Sequence, residues 1–234
     1  SVVGKPIGQF FGFVLEGVYT PEYLSQPGVV NSPQVYEGNV KYKDVNGDGF
    51  INDVLDYTII GNPHPDFIFG LTNNVSYKNF DLGVIVNGQV GGQVMNGLRQ
   101  TTDNLQGFFN VDKDWEARWR STENPGDGIH SGVPKLKPSW GHRVSTLWVE
   151  DASYLRIANM TLGYTIPSSL SEKMKVLKSS RLYFTVQNLA MFTNYKGANP
   201  EGQAANQNNT LVPGFDMTSY PLSRTMSLGI NLSF

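Results

Sequence analysis

The chain has 234 residues, a formal net charge of −2 and no cysteine. The missing thiols exclude disulfide frameworks and thiolate metal sites, and the near-neutral charge without a basic stripe argues against nucleic acid as a partner. Charged residues make up only 16%, whereas aromatic residues reach 12%, with 25 glycines and 13 prolines. This composition favours many short strands over helices, and no apolar run approaches the roughly 18 residues of a transmembrane helix.

Six segments carry strand patterns, in chain order at residues 9–19, 66–77, 80–90, 154–164, 181–189 and 224–234. The first is ambiguous because both of its faces carry apolar side chains. The last is the most regular, since small or polar residues alternate there with Met226, Leu228, Ile230, Leu232 and Phe234. Such a period of two over about ten residues is the length at which a tilted strand crosses a bilayer.

The connections fall into two length classes. Residues 77–80 form a tight turn and residues 165–180 a moderate link, whereas the loops at about 20–65, 91–153 and 190–223 are long. Compact soluble domains rarely carry several long loops, but outer-membrane barrels alternate short periplasmic turns with long extracellular loops. The pattern therefore predicts an all-β chain with about six antiparallel strands of a transmembrane β-barrel. Its long loops would lie outside the cell and its C-terminus in the periplasm.

Two points qualify this interpretation. Alternation alone is equally compatible with a soluble β-sandwich, and the loop asymmetry is what favours the barrel. Six strands also cannot close a barrel, for which about eight are the minimum, and open edges are not tolerated in lipid. We therefore expect the remaining strands to come from polypeptide outside this chain.

Residues 44–52 match the start of an EF-hand calcium loop. Side-chain oxygens occupy positions one, three, five and nine, Gly49 at position six allows a sharp turn, and position seven offers a carbonyl. Position twelve is Leu55, between Asp53 and Asp56, where a bidentate carboxylate would be expected. The predicted ligands of a structural Ca²⁺ are Asp44, Asn46, Asp48, Phe50, Asn52 and Asp56. An Asx-rich turn that needs no ion is the alternative.

The second long loop contains Trp115, Trp119 and Trp140, with Arg118, Arg120 and His142 nearby. These rings could stack on sugars or on a protein partner. Because Trp115 and Trp119 would share one face of a short helix, packing of the loop onto itself is the favoured interpretation.

Nothing in the sequence favours catalysis. His64, His130 and His142 are not at metal-ligand spacing, and nucleophile-elbow and phosphate-loop motifs are missing. The acidic pair Glu150 and Asp151 is expected to be a solvated loop end. We therefore predict that the chain is not an enzyme.

Several blocks of the sequence resemble, in order, segments of the SusC/RagA group of TonB-dependent transporters. They read VKYKDVNGDGFINDVLDYTIIGNP (40–63), PDFIFGLTNNVSYKNFDL (65–82), WEARWRSTENP (115–125), DASYLRIANMTLGYTIP (151–167), FTVQNLAMFTNYKGANPE (184–201) and PLSRTMSLGINLSF (221–234). The chain is thereby identified as similar to the C-terminal part of such a transporter.

This resemblance implies a barrel of about 22 strands in the outer membrane, the class whose lumen is plugged. The N-terminal plug, expected to be absent from this chain, would be pulled through TonB. A SusD-like surface lipoprotein would cover the extracellular loops, and the cargo would be oligosaccharides or peptides. The terminal Phe234 resembles the signal read by the barrel-assembly machinery. The alternative is a secreted, calcium-stabilised β-domain that binds glycans, and an extracellular glycosidase is a weaker third hypothesis.

Overall fold

The computed structural model describes residues 4–29, 35–103, 110–132, 143–167, 178–201, 213–217 and 219–233. They belong to two compact units. The loop unit comprises Ser1–His64, Gly92–Asp151 and Glu201–Ser219, and the sheet unit comprises Pro65–Gly91, Ala152–Pro200 and Tyr220–Phe234. Within these described ranges, no helix has the length and apolarity needed to cross a membrane.

Strands dominate the described residues. In chain order they are β1 (Phe10–Gly12), β2 (Leu15–Val18), β3 (Val40–Tyr42), β4 (Thr58–Gly61), β5 (Phe67–Tyr77), β6 (Phe80–Val90), β7 (Gln93–Asn96), β8 (Val149–Asp151), β9 (Tyr154–Thr165), β10 (Ser179–Thr193), β11 (Phe215–Asp216) and β12 (Thr225–Ser233). Helices are short: α1 (Pro21–Leu24), α2 (Gly97–Thr102), and 3₁₀ turns at Lys113–Ala117 and Thr146–Trp148. The predicted all-β class is confirmed.

The sheet unit is one five-stranded sheet in the order β12-β10-β9-β6-β5, antiparallel at every pair. It contains the last five of the six predicted strands, and β10 extends beyond the predicted 181–189 at both ends. The tight turn between β5 and β6 places Lys78 at a φ of 53°. The backbone N–H of Thr165 donates to the carbonyl of Asn79 in this turn at 2.8 Å, which ties the turn to the end of β9.

The predicted strand at 9–19 is wrong as one long strand. It is split into β1, which pairs with β4, and β2, which pairs with β3. Phe10, Phe13 and Tyr19 are buried in the loop unit. A segment with apolar side chains on both faces is covered on both sides, whereas a strand between lipid and water alternates. The ambiguity of its pattern is thus explained by burial.

The long connections fold into a structure with its own core. One cluster of buried side chains contains Phe13, Val40, Tyr42 and Ile51. Another contains Phe10, Ile60, Met95, Trp115 and Trp148. The Phe13 and Tyr42 rings stack with centroids 4.8 Å apart. The segments predicted as loops therefore contain strands and packed aromatic side chains.

Candidate functional site

One face of the sheet is apolar from end to end. Its cross-strand rows are Tyr77, Phe80, Tyr164, Leu182 and Ile230; Val75, Leu82, Leu162, Phe184 and Leu228; Asn73, Val84, Met160, Val186 and Met226; Leu71, Val86, Ile157 and Ala190; and Phe69, Gly88, Leu155 and Phe192. Asn73 is the only polar residue in these rows. Leu228 is 80% exposed and Met226 is 62% exposed at the edge strand, whereas Val186 in the middle of the face is 2% exposed.

Aromatic rings border this apolar face at both ends of the strands. Tyr77, Phe80 and Tyr164 lie at the end that carries the tight turn, and Phe67 and Phe192 lie towards the other end. The 11 residues from Phe67 to Tyr77 form one strand, which at the usual rise of about 3.4 Å per residue is about 34 Å long. Tilted by about 45°, such a strand spans about 24 Å, which matches the roughly 25 Å apolar band of outer-membrane barrels.

The opposite face of the sheet is mainly polar or small, with Ile68, Ile85 and Met191 as apolar members. Its rows are Ser76, Asp81, Gly163, Tyr183 and Gly229; Asn74, Gly83, Thr161, Thr185 and Ser227; Thr72, Ile85, Asn159, Gln187 and Thr225; Gly70, Asn87, Arg156 and Met191; and Ile68, Gln89, Tyr154 and Thr193. The hydroxyls of Thr161 and Thr185 are 2.9 Å apart. Thr72, Thr161 and Gln187, each next to an apolar residue of its strand, share this face.

An ion pair crosses the polar face. Arg181 Nε on β10 donates to Asp81 Oδ1 on β6 at 2.9 Å, and a second guanidinium nitrogen contacts the other carboxylate oxygen. Beside the pair lies a concavity of about 300 Å³ whose lining includes Asn74, Asn159 and Thr161. These side chains offer hydrogen-bond donors and acceptors, whereas Val75, Leu82 and Ile85 line the same concavity with apolar groups.

The predicted calcium ligands lie in one tight loop, and most of them accept backbone hydrogen bonds. Asp44 Oδ1 accepts from Gly47 N at 2.6 Å, and its Oδ2 accepts from Gly49 N at 2.8 Å. Further acceptors are Asn46 for Asp48 N, Asp48 for Phe50 N and Asn52 for Leu55 N. The start of the motif thus folds as a series of turns in which Asp and Asn side-chain oxygens accept backbone N–H groups.

Asp56 closes this loop. Its side chain is fully buried, and its two oxygens accept from Val45 N at 2.8 Å and Asn52 N at 2.7 Å. In the described ranges, no group of three or more His, Cys, Asp or Glu residues is arranged to hold a metal ion. The loop is therefore closed by hydrogen bonds, and Ca²⁺ binding stays a prediction.

Trp115 and Trp119 are buried at 5% and 6% exposure, which confirms that they pack the loop. They do not share a helix face, however, because the 3₁₀ helix ends at Ala117. Trp119 lies directly against Gly38, where a Cβ would overlap its ring. Trp140, His142 and Phe234 lie outside the described residues, so the predictions for them stay predictions.

A histidine–aspartate contact in the loop unit was not apparent from the sequence. His130 Nδ1 lies 2.5 Å from Asp127 Oδ2, and the ring packs edge-on against Trp115 with centroids 5.0 Å apart. Burial alone would raise the pKa of Asp127. Hydrogen bonds from the backbone and ring of His130 and from the backbone of Ile129 outweigh it, so the pKa is lowered.

Glu150 is also placed differently from the prediction. The expected solvated loop end is wrong for Glu150, which is 12% exposed and accepts from Arg99 at 2.8 Å, whereas Asp151 is exposed as expected. Arg99 also pairs with Asp103 at 3.0 Å, whose side chain is 2% exposed. Burial alone would lower the pKa of Arg99, but the bond to Glu150 and the nearby carboxylates raise it. The Arg99–Glu150 pair connects α2 to β8 across 51 residues of sequence. No local sequence pattern reveals such a contact.

Comparison with known proteins agrees with this two-faced sheet. No family model matches the chain. TonB-dependent receptor P3 of Formosa agariphila is 34% identical over 234 residues, covering 99% of this chain and 22% of that receptor. TonB-dependent receptor SusC of Bacteroides thetaiotaomicron is 28% identical over 208 residues, covering 86% of this chain and 19% of that receptor.

Solved structures show the same relationship. A chain of the RagAB peptide transporter superposes with a TM-score of 0.68 at 25% identity, covering 97% of this chain and 23% of the other. The chain thus spans about a fifth to a quarter of the length of the proteins it matches. On sequence and fold together, the chain belongs to the SusC/RagA-like TonB-dependent receptors and corresponds to the C-terminal part of their β-barrel.

Proposed function

We propose that this chain forms part of the barrel wall of an outer-membrane, TonB-dependent nutrient importer. The observation that carries the proposal is the sheet itself, whose one face is apolar except for Asn73 and whose other face is mainly polar or small. In water, the apolar face would be an exposed patch far larger than soluble monomers carry. In an outer membrane, lipid covers that face while the polar face lines an aqueous interior.

The sheet edges support an assignment to a larger barrel. In the described part of the chain, β5 and β12 each pair with a strand on one side only. Unpaired backbone groups cost several kcal/mol each in hydrocarbon, so both edges need further strands. The chain covers 22% of receptor P3, which leaves most of such a receptor to supply them.

The partners and cargo follow from the receptor family. The pulling force would come from TonB through an N-terminal plug inside the lumen, and a SusD-like lipoprotein would cover the extracellular side. The matched RagAB complex is named a peptide transporter, and we propose oligosaccharides or peptides as cargo here. The alternating loop lengths support loops outside the cell and a periplasmic C-terminus, where Phe234 would be read by the barrel-assembly machinery. No catalytic role is proposed.

Calcium would stiffen the 44–56 loop instead of driving transport. The support is the run of oxygen donors at Asp44, Asn46 and Asp48, which curl around Gly47 and Gly49 at φ values of 75° and 82°. Limited proteolysis of the purified receptor, with Ca²⁺ or with EGTA, tests this. Faster cleavage within 44–56 under EGTA is expected, and identical cleavage would show that the loop needs no ion.

The transport proposal is tested in the native host. The receptor gene is deleted and restored on a plasmid, and uptake of labelled oligosaccharide and peptide mixtures is measured with and without a protonophore. We expect uptake of one class to fall on deletion, to return on complementation and to stop when the proton gradient is collapsed. Unchanged uptake of both classes, or uptake that ignores the protonophore, would contradict the proposal. Recovery of the protein outside the outer-membrane fraction would contradict the membrane assignment itself.

A further inference from the structure

The hydrophobic pattern of this sheet leaves the strand register incompletely specified. A slip of one residue moves every apolar side chain to the polar face and is strongly disfavoured. A slip of two residues preserves both faces. Leu182, which pairs with Ile230, would then face Leu228 or Leu232, so the apolar contacts would hardly change. Something other than the alternation must select the native register.

Between β10 and β12, the selecting feature is a glycine beneath an aromatic ring. Tyr183 pairs with Gly229, and its ring lies so close that a Cβ at 229 would overlap it. A two-residue slip places Ser227 or Asn231 opposite Tyr183 instead. Both residues carry a Cβ at the position that the ring occupies, so the slipped register is obstructed.

Between β6, β9 and β10, Gly163 is the residue that selects the register. It pairs with Asp81 on one side and Tyr183 on the other, and a Cβ there would overlap both Asp81 and Arg181. The ion pair therefore passes directly over the glycine. A two-residue slip of β9 puts Thr161 or Thr165 under the pair. Asp81 lies in the row of Gly163, whereas Arg181 lies in the next row on this face, with Thr165. A two-residue slip of β6 against β9 therefore moves Asp81 about 7 Å along the strand and away from Gly163, because each strand residue rises about 3.4 Å.

Between β5 and β6, the tight turn already favours one register, and a close contact on the apolar face adds to it. Phe69 pairs with Gly88, and a Cβ at 88 would be 2.3 Å from the backbone oxygen of Tyr154 and 2.7 Å from Phe69 Cζ. The slipped partners would be Val86 and Val90, whose branched side chains occupy that space. Gly70 on β5 differs, because a Cβ there would meet nothing within 4 Å. Close approach is therefore a property of particular glycines in this sheet.

We propose that Gly88, Gly163 and Gly229 are register keys: each leaves room for atoms of a neighbouring strand that a Cβ would overlap, and each so disfavours registers shifted by two residues. Glycine within a strand weakens it, since it adds backbone entropy and removes a packing group. That cost is offset because the glycines specify one strand register. The apolar rows of the lipid face cannot do so, since a two-residue slip replaces one apolar row by another. The keys cover all four strand interfaces of the sheet, because Gly163 serves both sides of β9.

Disulfide trapping in the full-length receptor tests the proposal. Thr185→Cys with Ser227→Cys reports the native register of β10 and β12, and Thr185→Cys with Thr225→Cys reports the slipped one. Gly229→Val should lower the ratio of native to slipped disulfide by about tenfold, the effect expected of overpacking a tight contact. Gly70→Val, the matched control in open space, should leave the ratio unchanged.

A rescue variant keeps the test decisive if Gly229→Val also impairs assembly. Tyr183→Ala removes the ring that the new side chain meets, so the double variant Tyr183→Ala/Gly229→Val should recover the assembled receptor and most of the native disulfide. Recovery supports the proposal. An unchanged ratio in Gly229→Val, an equal effect of Gly70→Val, or failure of Tyr183→Ala to rescue would each overturn it.

Discussion

Replacement of Met226 by arginine is expected to destabilise the barrel strongly, because the side chain lies near the middle of the lipid-facing band. Met226 is 62% exposed and shares its cross-strand row with Asn73. On β5 that row is four residues from Tyr77 and six from Phe67. With about 3.4 Å per residue and a tilt of about 45°, the row lies about 10 Å from one border and about 14 Å from the other.

An arginine at that depth costs about 2–4 kcal/mol, a penalty that falls to about 0–1 kcal/mol near the interfaces. The assay is reversible urea unfolding of the full receptor in lipid vesicles, followed by its heat-modifiable migration on gels. Ser227→Arg is the matched control, since Ser227 is the next residue on β12 and is on the polar face. We expect its cost to stay below about 1 kcal/mol. Equal costs for the two variants, or none for Met226→Arg, would refute the lipid-facing assignment.

Further predictions concern the loop unit. Arg99→Met leaves the buried carboxylates of Asp103 and Glu150 without their cation and should destabilise the unit by about 3–5 kcal/mol, measured by protease susceptibility. Asp56→Ala removes the acceptor for two backbone N–H groups and should cost about 1–3 kcal/mol, with earlier cleavage within 44–56. Because the folded pKa of Asp127 is lowered, its contribution is present above its ordinary pKa of 3.8 and is lost only as pH falls below that value. Opening of 126–132, followed by hydrogen exchange corrected for its intrinsic pH dependence, should therefore begin only in strong acid.

Matched control variants distinguish these effects from a general loss of stability. Arg120→Met alters an exposed arginine of the same loop and should change stability by less than about 0.5 kcal/mol. Asp53→Ala removes a carboxylate that is 60% exposed, so its loss should be smaller than that of Asp56→Ala. Equal protease sensitivity within either pair would contradict the assigned roles. Opening of 126–132 that already begins near pH 6 in the hydrogen-exchange measurement would contradict the role of Asp127.

The sequence predicted the sheet unit well because lipid and water act on alternate residues of the same strand. β12 and β10 show this directly, with Met226, Leu228 and Leu182 on one face and Ser227 on the other. Segment 9–19 lacked that contrast because both of its faces are buried. Its division into β1 and β2 depends on pairing with β4 and β3, and no local pattern specifies those partners.

The loop unit was poorly predicted for a related reason. Its core brings together side chains as far apart in sequence as Phe10, Met95 and Trp148, and short strands between turns show too few residues for a period. The sequence offered Asp56 as a substitute metal ligand, which stays a prediction, but it gave no sign that both carboxylate oxygens accept backbone N–H groups. Long-range ion pairs such as Arg99 with Glu150 leave no signal in a single sequence.

The lipid-facing assignment of the apolar face is tested most directly by spin-label accessibility along β12 of the full receptor in lipid bilayers. Single labels at each position from 225 to 232 are compared for collision with oxygen, which concentrates in lipid, and with a water-soluble nickel complex. If the sheet separates lipid from an aqueous interior, accessibility alternates strictly along the strand. Positions 226, 228, 230 and 232 are then accessible to oxygen, and the positions between them are accessible to nickel. A profile without a period of two, or nickel access at all eight positions, would contradict the claim that this sheet separates lipid from an aqueous interior.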